Sequence, residues 1–256
     1  MLAPDQRDRI GVVLVSPRNP LNIGAAARAM ANFGFAHLTV AAPYAPHWRE
    51  ARSAIGAPEL LQNAKETESL AEAVADCTLV AGTGTLTHRK PEQAVVTLPE
   101  LPALVAAELA RGGRVALVFG PEKHGLTRED LSHCHVLVEI PTSAAQPSMN
   151  LGQAVAVCLY ELATRTVPNS DHAAPPRLPK SAASSASLDL VAGIVETAML
   201  AADYSPPAMR AANRLDLRQL LRRMALTEHD ARRIMGLFRR ILWRLRNPHD
   251  GHRRNR

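Results

Sequence analysis

Five short runs of valine, leucine and other apolar residues lie within the first 140 residues, separated by segments with the periodicity of helices. Largely apolar runs of this length are typical of strands that are buried on both faces of a sheet. Strands that alternate with helices favour a parallel sheet covered by helices on both sides, so the chain is predicted to have an α/β fold. The predicted strands are 11–15, 37–41, 78–81, 115–119 and 136–140, and the predicted helices are 21–33, 69–75, 101–110 and 150–164.

Three polar loops that contain glycine follow strands of this predicted sheet. They span residues 16–28, 119–126 and 146–153. In an open parallel sheet the carboxyl ends of the strands lie along one edge, and ligands bind in the crevice outside that edge. The order of the loops therefore predicts one ligand site that is assembled from distant parts of the chain.

Each loop by itself also has a simpler structural interpretation. Asn22 and Asn150 are both of a type that caps helices, and Ser148 lies close enough to belong to the second cap. Arg28 could be an ordinary surface arginine, although the helix dipole disfavours cations near a helix N-terminus. Glu122 lies in a turn of Gly and Pro of a common kind. Only the combination of the three loops favours a ligand site.

The net charge of +6 is distributed unevenly along the chain. Residues 210–256 contain 14 Arg, no Lys and 4 acidic residues, so they carry a surplus of ten positive charges and the rest of the chain carries −4. Arginine can pair with phosphate through two parallel hydrogen bonds, and a basic segment of this kind is typical of contact with a polyanion. A solvated helical surface is the alternative interpretation.

Composition divides the chain into three segments. Residues 1–164 contain the predicted sheet domain, and residues 165–187 are rich in Pro, Ser and Ala, which is typical of a linker. Residues 188–256 are predicted to form a small basic helical extension. Its apolar stripe, 234–245, is expected to dock on the body or on a partner chain, with the flanking arginines Arg233, Arg240 and Arg244 facing outward.

Several classes of protein are disfavoured by the sequence. No apolar run reaches the length of about 18 residues that a membrane span needs, and the first ten residues lack a signal-peptide core, which predicts a protein that is not exported. The three cysteines form no framework and suit a reducing cytoplasm. His133-Cys134-His135 has no second ligand cluster at zinc-like spacing, so no metal is predicted. The turn at 82–84 lacks the third glycine and the acidic partner of a dinucleotide site.

The segments 22–28, 119–126 and 138–151 resemble, in this order, the three motifs of the SpoU branch of the SPOUT RNA 2′-O-ribose methyltransferases. The resemblance covers about residues 9–164. It implies a parallel-sheet SPOUT domain with a C-terminal trefoil knot, and S-adenosyl-L-methionine (AdoMet) as the cofactor. It also implies a homodimer, with the helix 150–164 as the candidate interface and plain core packing as the alternative for that helix.

The resemblance further implies which residues form the site, and the 2′-hydroxyl makes RNA rather than DNA the substrate. Arg28 is expected to stabilise the developing alkoxide or to hold the adjacent phosphate, because a guanidinium stays protonated and cannot act as a base. The expected catalytic residues are Arg28, Asn22, Glu122, Ser148 and Asn150. The expected AdoMet-binding residues are Thr83, Gly84, Gly120, Ile140, Ser148, Met149, Asn150 and Leu151.

The helical tail resembles the C-terminal extension of those family members that methylate the ribose of nucleotide 32 in the tRNA anticodon loop. The expected partner is therefore tRNA, with cytidine or uridine 32 as the expected target. A different tRNA or rRNA position, and a non-catalytic role in RNA binding or assembly, are the alternatives.

Overall fold

The computed structural model describes residues 2–44, 47–84, 91, 93–165 and 182–247. The strands are β1 Ile10–Val15, β2 His37–Ala41, β3 Lys65–Thr67, β4 Leu79–Thr83, β5 Ala94–Thr97, β6 Val115–Phe119 and β7 Val136–Glu139. The α-helices are α1 Pro4–Arg7, α2 Pro20–Phe33, α3 Pro58–Gln62, α4 Leu70–Ala73, α5 Leu101–Ala110, α6 Arg128–Ser132, α7 Leu151–Thr164, α8 Ser185–Ala201, α9 Arg210–Arg223 and α10 Glu228–Arg246. Short 3₁₀ helices lie at Trp48–Glu50, Leu98–Glu100 and Pro207–Met209.

The seven strands form one parallel sheet in the order β3-β2-β1-β6-β4-β7-β5, which confirms the predicted α/β fold. The five strands at its centre are those that the apolar runs predict. The two edge strands, β3 and β5, were not predicted. Both are short and largely exposed, as edge strands often are, and so they lack a hydrophobic pattern.

Helices cover both faces of the sheet. Val12 and Leu14 of β1 point into a core shared with α2, α5 and α7, whereas Val13 and Val15 point into a second core shared with α4 and α6. This alternation explains why β1 and β6, at the centre of the sheet, consist of apolar residues: neither face of these strands meets water.

The strand β4 extends further than predicted, because Gly82 and Thr83 belong to the strand and not to a turn. A Cβ at Gly82 would lie 2.6 Å from Cys134 Sγ, so this central position has room only for glycine. The Thr83 hydroxyl donates a hydrogen bond of 3.0 Å to the carbonyl oxygen of Val118. These contacts hold the carboxyl ends of β4 and β6 close together.

The segment His133-Cys134-His135 is part of the packed interior between α6 and β7. Burial raises the pKa of the Cys134 thiol to about 12. Burial and the charge of Arg222 lower the pKa of His135 to about 3, so its ring is neutral and Nδ1 accepts a hydrogen bond from Val80 N at 3.1 Å. Within the described ranges, no cluster of three or more His, Cys, Asp and Glu side chains is arranged to hold a metal ion.

The helical extension is bound directly to the sheet domain. The backbone N–H and the hydroxyl of Ser185 both donate to the carbonyl oxygen of Cys77, at 2.9 and 3.0 Å, and Ala186 N donates to the carbonyl of Ala75. Arg218 of α9 forms an ion pair with Glu129 of α6. The beginning of α8 and one face of α9 are therefore fixed to the turns behind the sheet.

One arginine of the extension is buried instead of facing solvent. The Arg222 side chain is fully covered and donates a hydrogen bond of 3.0 Å to Asp189, and it lies 3.5 Å from the ring of His133. A buried arginine requires such a partner, since an unpaired buried charge is very costly. Arg222 therefore joins α8, α9 and the C-terminal end of α6.

The apolar stripe of α10 is only partly covered. Ile234, Phe238 and Leu242 are partly or fully buried on the side that packs on α8. Leu237 and Leu245 are 59% and 43% exposed, so this chain does not cover the whole stripe, and docking of the exposed part on a partner chain stays a prediction. The stripe is wider than the contact with one neighbouring helix.

Most of the predicted linker, residues 166–181, lies outside the described residues, and α8 begins at Ser185. Among the described helices, none combines the length and apolar character that a bilayer crossing requires. The trefoil knot that the resemblance implies stays a prediction.

Candidate active site

A cavity of about 650 Å³ opens at the carboxyl ends of β4, β6 and β7. This volume is within the range of small-molecule sites, and the position is where a parallel sheet binds ligands. Its floor includes the buried side chains of Phe119, Leu126 and Leu151, and its rim is made of polar loops. The cavity can therefore hold a ligand with one apolar face and several polar edges.

Seven of the eight residues expected to bind the cofactor line this cavity; the exception is Asn150. The seven are Thr83, Gly84, Gly120, Ile140, Ser148, Met149 and Leu151. Of the expected catalytic residues, Glu122 and Ser148 line the cavity, whereas Asn22, Asn150 and Arg28 do not.

The carboxylate of Glu122 binds the first loop to the second. Its Oε1 accepts hydrogen bonds from Asn22 Nδ2 at 2.8 Å and from Asn19 N at 3.3 Å, and its Oε2 accepts one from Arg18 N at 3.2 Å. Glu122 is exposed at the rim of the cavity. Its three donors all come from the first loop, so it fixes the position of that loop beside the cavity.

A directed chain of hydrogen bonds continues from Glu122 to the third loop. Asn150 Nδ2 donates to Asn22 Oδ1 at 2.9 Å, and Asn150 Oδ1 accepts from Gly152 N at 3.0 Å at the start of α7. An ionised carboxylate can only accept, which forces the Asn22 amide to turn its nitrogen toward Glu122 and its oxygen toward Asn150. The negative charge of Glu122 therefore sets the orientation of both amides.

The same hydrogen bonds determine the pKa of Glu122. Partial burial alone raises the pKa, but the hydrogen bonds from Asn22 and from backbone N–H groups outweigh burial and lower it. Because the folded-state pKa lies below the unfolded one, the ionised group stabilises the fold above the unfolded pKa. That contribution is lost as the pH falls through the folded-state pKa, which lies below the ordinary pKa of glutamate, about 4.3.

The chain Glu122–Asn22–Asn150 leads to the first testable prediction, for Glu122→Gln. A glutamine would place an NH₂ group against at least one N–H donor, so the first loop should shift. If the site performs catalysis, activity should fall about 100-fold, as expected for a displacement of about 1 Å. The free energy of unfolding should change by less than about 1 kcal/mol, because the group is exposed to solvent.

Steady-state kinetics and denaturant unfolding of the same samples check this prediction. Glu59→Gln, at an exposed position of α3, serves as the matched control and should leave both quantities unchanged. Full activity of Glu122→Gln would show that the hydrogen bonds to the first loop do not position the site.

Asn150 fulfils both interpretations that the sequence allowed, because it caps α7 and also belongs to the chain of amides. For the first loop the capping interpretation of Asn22 is wrong. The residue that caps α2 is Asn19, whose side chain accepts from Leu21 N at 2.9 Å, and Pro20 follows in the first turn. Asn22 is thereby free to turn its amide toward Glu122.

The third loop presents its side chains to the cavity. The hydroxyl of Thr142, which precedes this loop, donates to the carbonyl of Pro147 at 3.1 Å and so ties the loop to the segment that follows β7. Ser148 is exposed, lines the cavity and has no hydrogen-bond partner among the described residues. Its hydroxyl is therefore available to a ligand.

Arg28 lies away from the cavity of its own chain. It is exposed on α2, three residues after Ala25, and pairs with no residue in the part of the chain that the structure describes. A Cβ at Gly152 of α7 would lie 2.7 Å from Ala25 Cβ, so α2 and α7 are in close contact here. Within a single chain, Arg28 therefore does not line the cavity and has no described hydrogen bond or ion pair with the other expected catalytic residues.

Some residues at the cavity were not expected from the sequence. Thr97 and Glu139 line it from the ends of β5 and β7, and Thr142 lines it from the segment between β7 and the third loop. The strand β5 lacks a hydrophobic pattern, so Thr97 could not be assigned to a strand end. Glu139 lies within a predicted strand, and its position near the strand end is the signal that was overlooked.

The extension carries a large basic surface. Apart from Arg222 and Arg218, the arginines of the extension up to residue 247 are exposed. On α10, Arg240 lies over the ring of Trp243, with 4.2 Å between the guanidinium carbon and the ring centroid. The exposed arginines on α9 and α10 are Arg210, Arg214, Arg223, Arg232, Arg233, Arg239, Arg240, Arg244 and Arg246.

Comparison with known proteins identifies relatives of the sheet domain. The model of the SpoU rRNA Methylase family matches residues 9–160. The chain is 40% identical over 156 residues to a tRNA (cytidine/uridine/adenosine-2′-O-)-methyltransferase TrmJ of Pseudomonas aeruginosa, with 60% of each chain aligned. It is 38% identical over 162 residues to a tRNA (cytidine-2′-O-)-methyltransferase TrmJ of Methanocaldococcus jannaschii, with 62% of this chain and 70% of the relative aligned. The match thus spans less than two thirds of the length of the first relative.

A solved structure matches the extension as well. The crystal structure of TrmJ from Z. mobilis ZM4 superposes with a TM-score of 0.78 and 28% sequence identity. The superposition covers 90% of this chain and 98% of that chain. The sheet domain and the helices behind it therefore share one arrangement in the two proteins.

Proposed function

The chain belongs to the SpoU rRNA methylase family, and from this premise we propose that it transfers a methyl group from AdoMet to a ribose 2′-hydroxyl of tRNA. The proposed target is cytidine or uridine 32 of the anticodon loop. The relatives named above, both tRNA 2′-O-methyltransferases, support the substrate class. The proposed position, nucleotide 32, rests on the resemblance of the helical extension to that of the family members that methylate this nucleotide. The proposed location is the cytoplasm, because the proposed substrate is tRNA.

The observation that carries the proposal is the hydrogen-bonded chain Glu122–Asn22–Asn150 beside the cavity. It joins the first loop to the second and third loops, at residues that lie 100 and 128 positions further along the chain. Methyl transfer to a hydroxyl has a good leaving group, so positioning the weakly nucleophilic oxygen is the main task. A rigid set of amides and a carboxylate at the mouth of the cavity suits that task.

The cavity fits the proposed cofactor. A Cβ at Gly120 would lie 2.3 Å from Leu126 N, so the second loop turns tightly and leaves its backbone groups at the cavity wall. Such groups suit the polar edges of adenine and ribose, while Leu126 and Leu151 suit the flat face of the base. Bound AdoMet would supply an activated methyl group. The trefoil knot is part of this proposal.

The residues at the rim would act on the substrate ribose. The Ser148 hydroxyl lies at the cavity without a described protein partner and can hydrogen-bond to the ribose or to the cofactor. Asn22 and Asn150 are oriented by Glu122 and hold the loops between which the ribose enters. Arg28 would stabilise the negative charge that develops on the 2′-oxygen.

A homodimer would complete the site. Arg28 is exposed on α2, and α2 packs on α7, whose outer side exposes Tyr160 at 54%. The inner side of α7 packs in the core, and the outer side is the proposed interface. A twofold contact through the outer sides of α2 and α7 would bring Arg28 to the cavity of the partner.

The basic surface of the extension is the proposed contact with the tRNA backbone. Exposed arginines bind phosphates and make RNA binding depend on salt. Because α8 and α9 are fixed to the sheet domain through Ser185 and Arg222, this surface has a defined position relative to the cavity.

The substrate itself provides the second testable prediction. With tritiated AdoMet, the protein should methylate tRNA transcripts, and a single 2′-deoxy substitution at nucleotide 32 should abolish incorporation, because the accepting oxygen is missing. Incorporation is measured by scintillation counting of precipitated RNA. A transcript with a 2′-deoxy substitution at another loop position is the control and should be methylated normally.

The other outcomes of this experiment separate the alternatives. Incorporation that persists after substitution at nucleotide 32 would point to another tRNA position, and incorporation into rRNA alone would point to a ribosomal target. Binding of RNA without incorporation into any RNA would support a non-catalytic role.

A further inference from the structure

An exposed pair of side chains lies next to the first loop. Arg18 and Tyr44 follow the adjacent parallel strands β1 and β2, and the guanidinium carbon of Arg18 lies 5.2 Å from the centroid of the Tyr44 ring. Tyr44 is 72% exposed and Arg18 is exposed too. Arg18 forms no ion pair with any residue that the structure describes. The pair thus offers solvent an aromatic ring and an unneutralised cation.

The backbone that presents this pair is strained. Ser16 and Ala42, directly after β1 and β2, have φ angles of 44° and 47°, in the left-handed region that usually requires glycine. Ser16 N donates to the carbonyl of Ala41 at 2.8 Å, and Tyr44 N donates to the carbonyl of Pro17 at 3.3 Å. The two loops are thus joined to each other, and strain of this kind is concentrated at functional sites.

The pair is connected to the proposed active site through the backbone of Arg18. Arg18 N donates to Glu122, which lines the cavity and orients Asn22. The side chain of Arg18 extends from this rim toward Tyr44. Lys123, the next residue after Glu122, is also exposed and adds positive charge at the rim.

We propose that Arg18 and Tyr44 form a platform on which an unpaired RNA base stacks, next to the nucleotide whose ribose is methylated. Every base has a π face that can stack on tyrosine, and a guanidinium strengthens such a stack through its charge. Bases in a double helix are already stacked, so the platform selects loop nucleotides. Arg18 and Tyr44 are positioning residues in this view. The inference rests on the proposed function only for the reaction, the methylation of the neighbouring nucleotide. The stacking of a base on the platform does not depend on it.

Variants of Tyr44 test the stacking in the full-length protein. Tyr44→Ala should lower kcat/KM for tRNA about 10-fold, mainly through KM, because a stacked base is lost. The affinity for AdoMet, measured by titration calorimetry, should stay unchanged. Tyr44→Phe keeps the ring and should restore normal kinetics, whereas Tyr44→Leu keeps apolar area without a ring and should behave like Tyr44→Ala.

A binding experiment separates this inference from the proposed function. A tRNA that carries 2-aminopurine beside the target nucleotide should change its fluorescence on binding the wild-type protein and Tyr44→Phe, but much less on binding Tyr44→Ala. If the wild type gives this signal and transfers no methyl group, the proposed function is wrong and the platform stands. Normal kinetics and normal fluorescence with Tyr44→Ala would overturn the platform. A change in oligomeric state of Tyr44→Ala by light scattering would also overturn it and assign the pair to a subunit contact.

Discussion

Replacing Arg28 with alanine is expected to reduce methyl transfer by at least about 100- to 1000-fold, the effect of removing one donor that stabilises developing negative charge. The affinity for AdoMet should stay within a few-fold of the wild type, because Arg28 does not line the cavity. Arg28→Lys keeps the charge without the planar guanidinium and should recover only part of the activity. Tritium transfer and titration calorimetry measure the two quantities, and loss of both would mean that Arg28 is structural.

The position of Arg28 on the outer side of α2 also allows a test of action between subunits. Mixed dimers can be purified with one subunit carrying Arg28→Ala and the other a cofactor-site variant, Gly120→Ala. If Arg28 acts across the dimer, one of the two sites contains an intact cavity and an intact Arg28, and about half of the wild-type activity returns. If Arg28 acts within its own chain, both sites are defective and the mixed dimer stays inactive.

Gly120→Ala is expected to lower the affinity for AdoMet more than about 100-fold. The added Cβ would lie 2.3 Å from Leu126 N and 2.4 Å from the carbonyl carbon of Gly125, and these are backbone atoms that cannot rotate away. The second loop must therefore open, and the cavity wall moves with it. Strain of this kind should also lower the free energy of unfolding by about 1–3 kcal/mol.

Gly193→Ala adds the same methyl group at a position of α8 where no described atom lies within 4 Å of the new Cβ. It should bind AdoMet normally, with a stability equal to or slightly above that of the wild type, since alanine favours helix. Calorimetry and denaturant unfolding measure both variants. Tight AdoMet binding by Gly120→Ala would remove the second loop from the proposed cofactor site.

The sequence predicts the central part of the fold because buried parallel strands have a strong apolar signal. The strands around β1, β6 and β4 have this signal, and the edge strands β3 and β5 lack it since they meet solvent. The extension is less predictable. Arg222 is buried because it pairs with Asp189 of α8 and lies next to His133 at the end of α6. These residues are distant in the sequence, so no local pattern predicts the burial.

The residues of the site are predictable to the extent that they belong to the recognised motifs. The structure brings Asn22, Glu122 and Asn150 into one hydrogen-bonded chain, although their catalytic roles stay predictions. Tyr44 could not be found in this way. It comes close to Arg18 only because β1 and β2 are neighbours in the sheet, and sequence separation hides that adjacency.

The attachment of α8 to the turn at Cys77 fixes the distance between the basic surface and the cavity. Because hydrogen bonds of Ser185 and Ala186 fix the beginning of α8, the distance between the arginines of α9 and the cavity is set by packing and not by the length of the segment 166–181. That segment can therefore gain or lose residues during evolution without changing this spacing. If the arginines hold RNA phosphates as proposed, the nucleotide that reaches the cavity would be the one at a fixed distance from those phosphates.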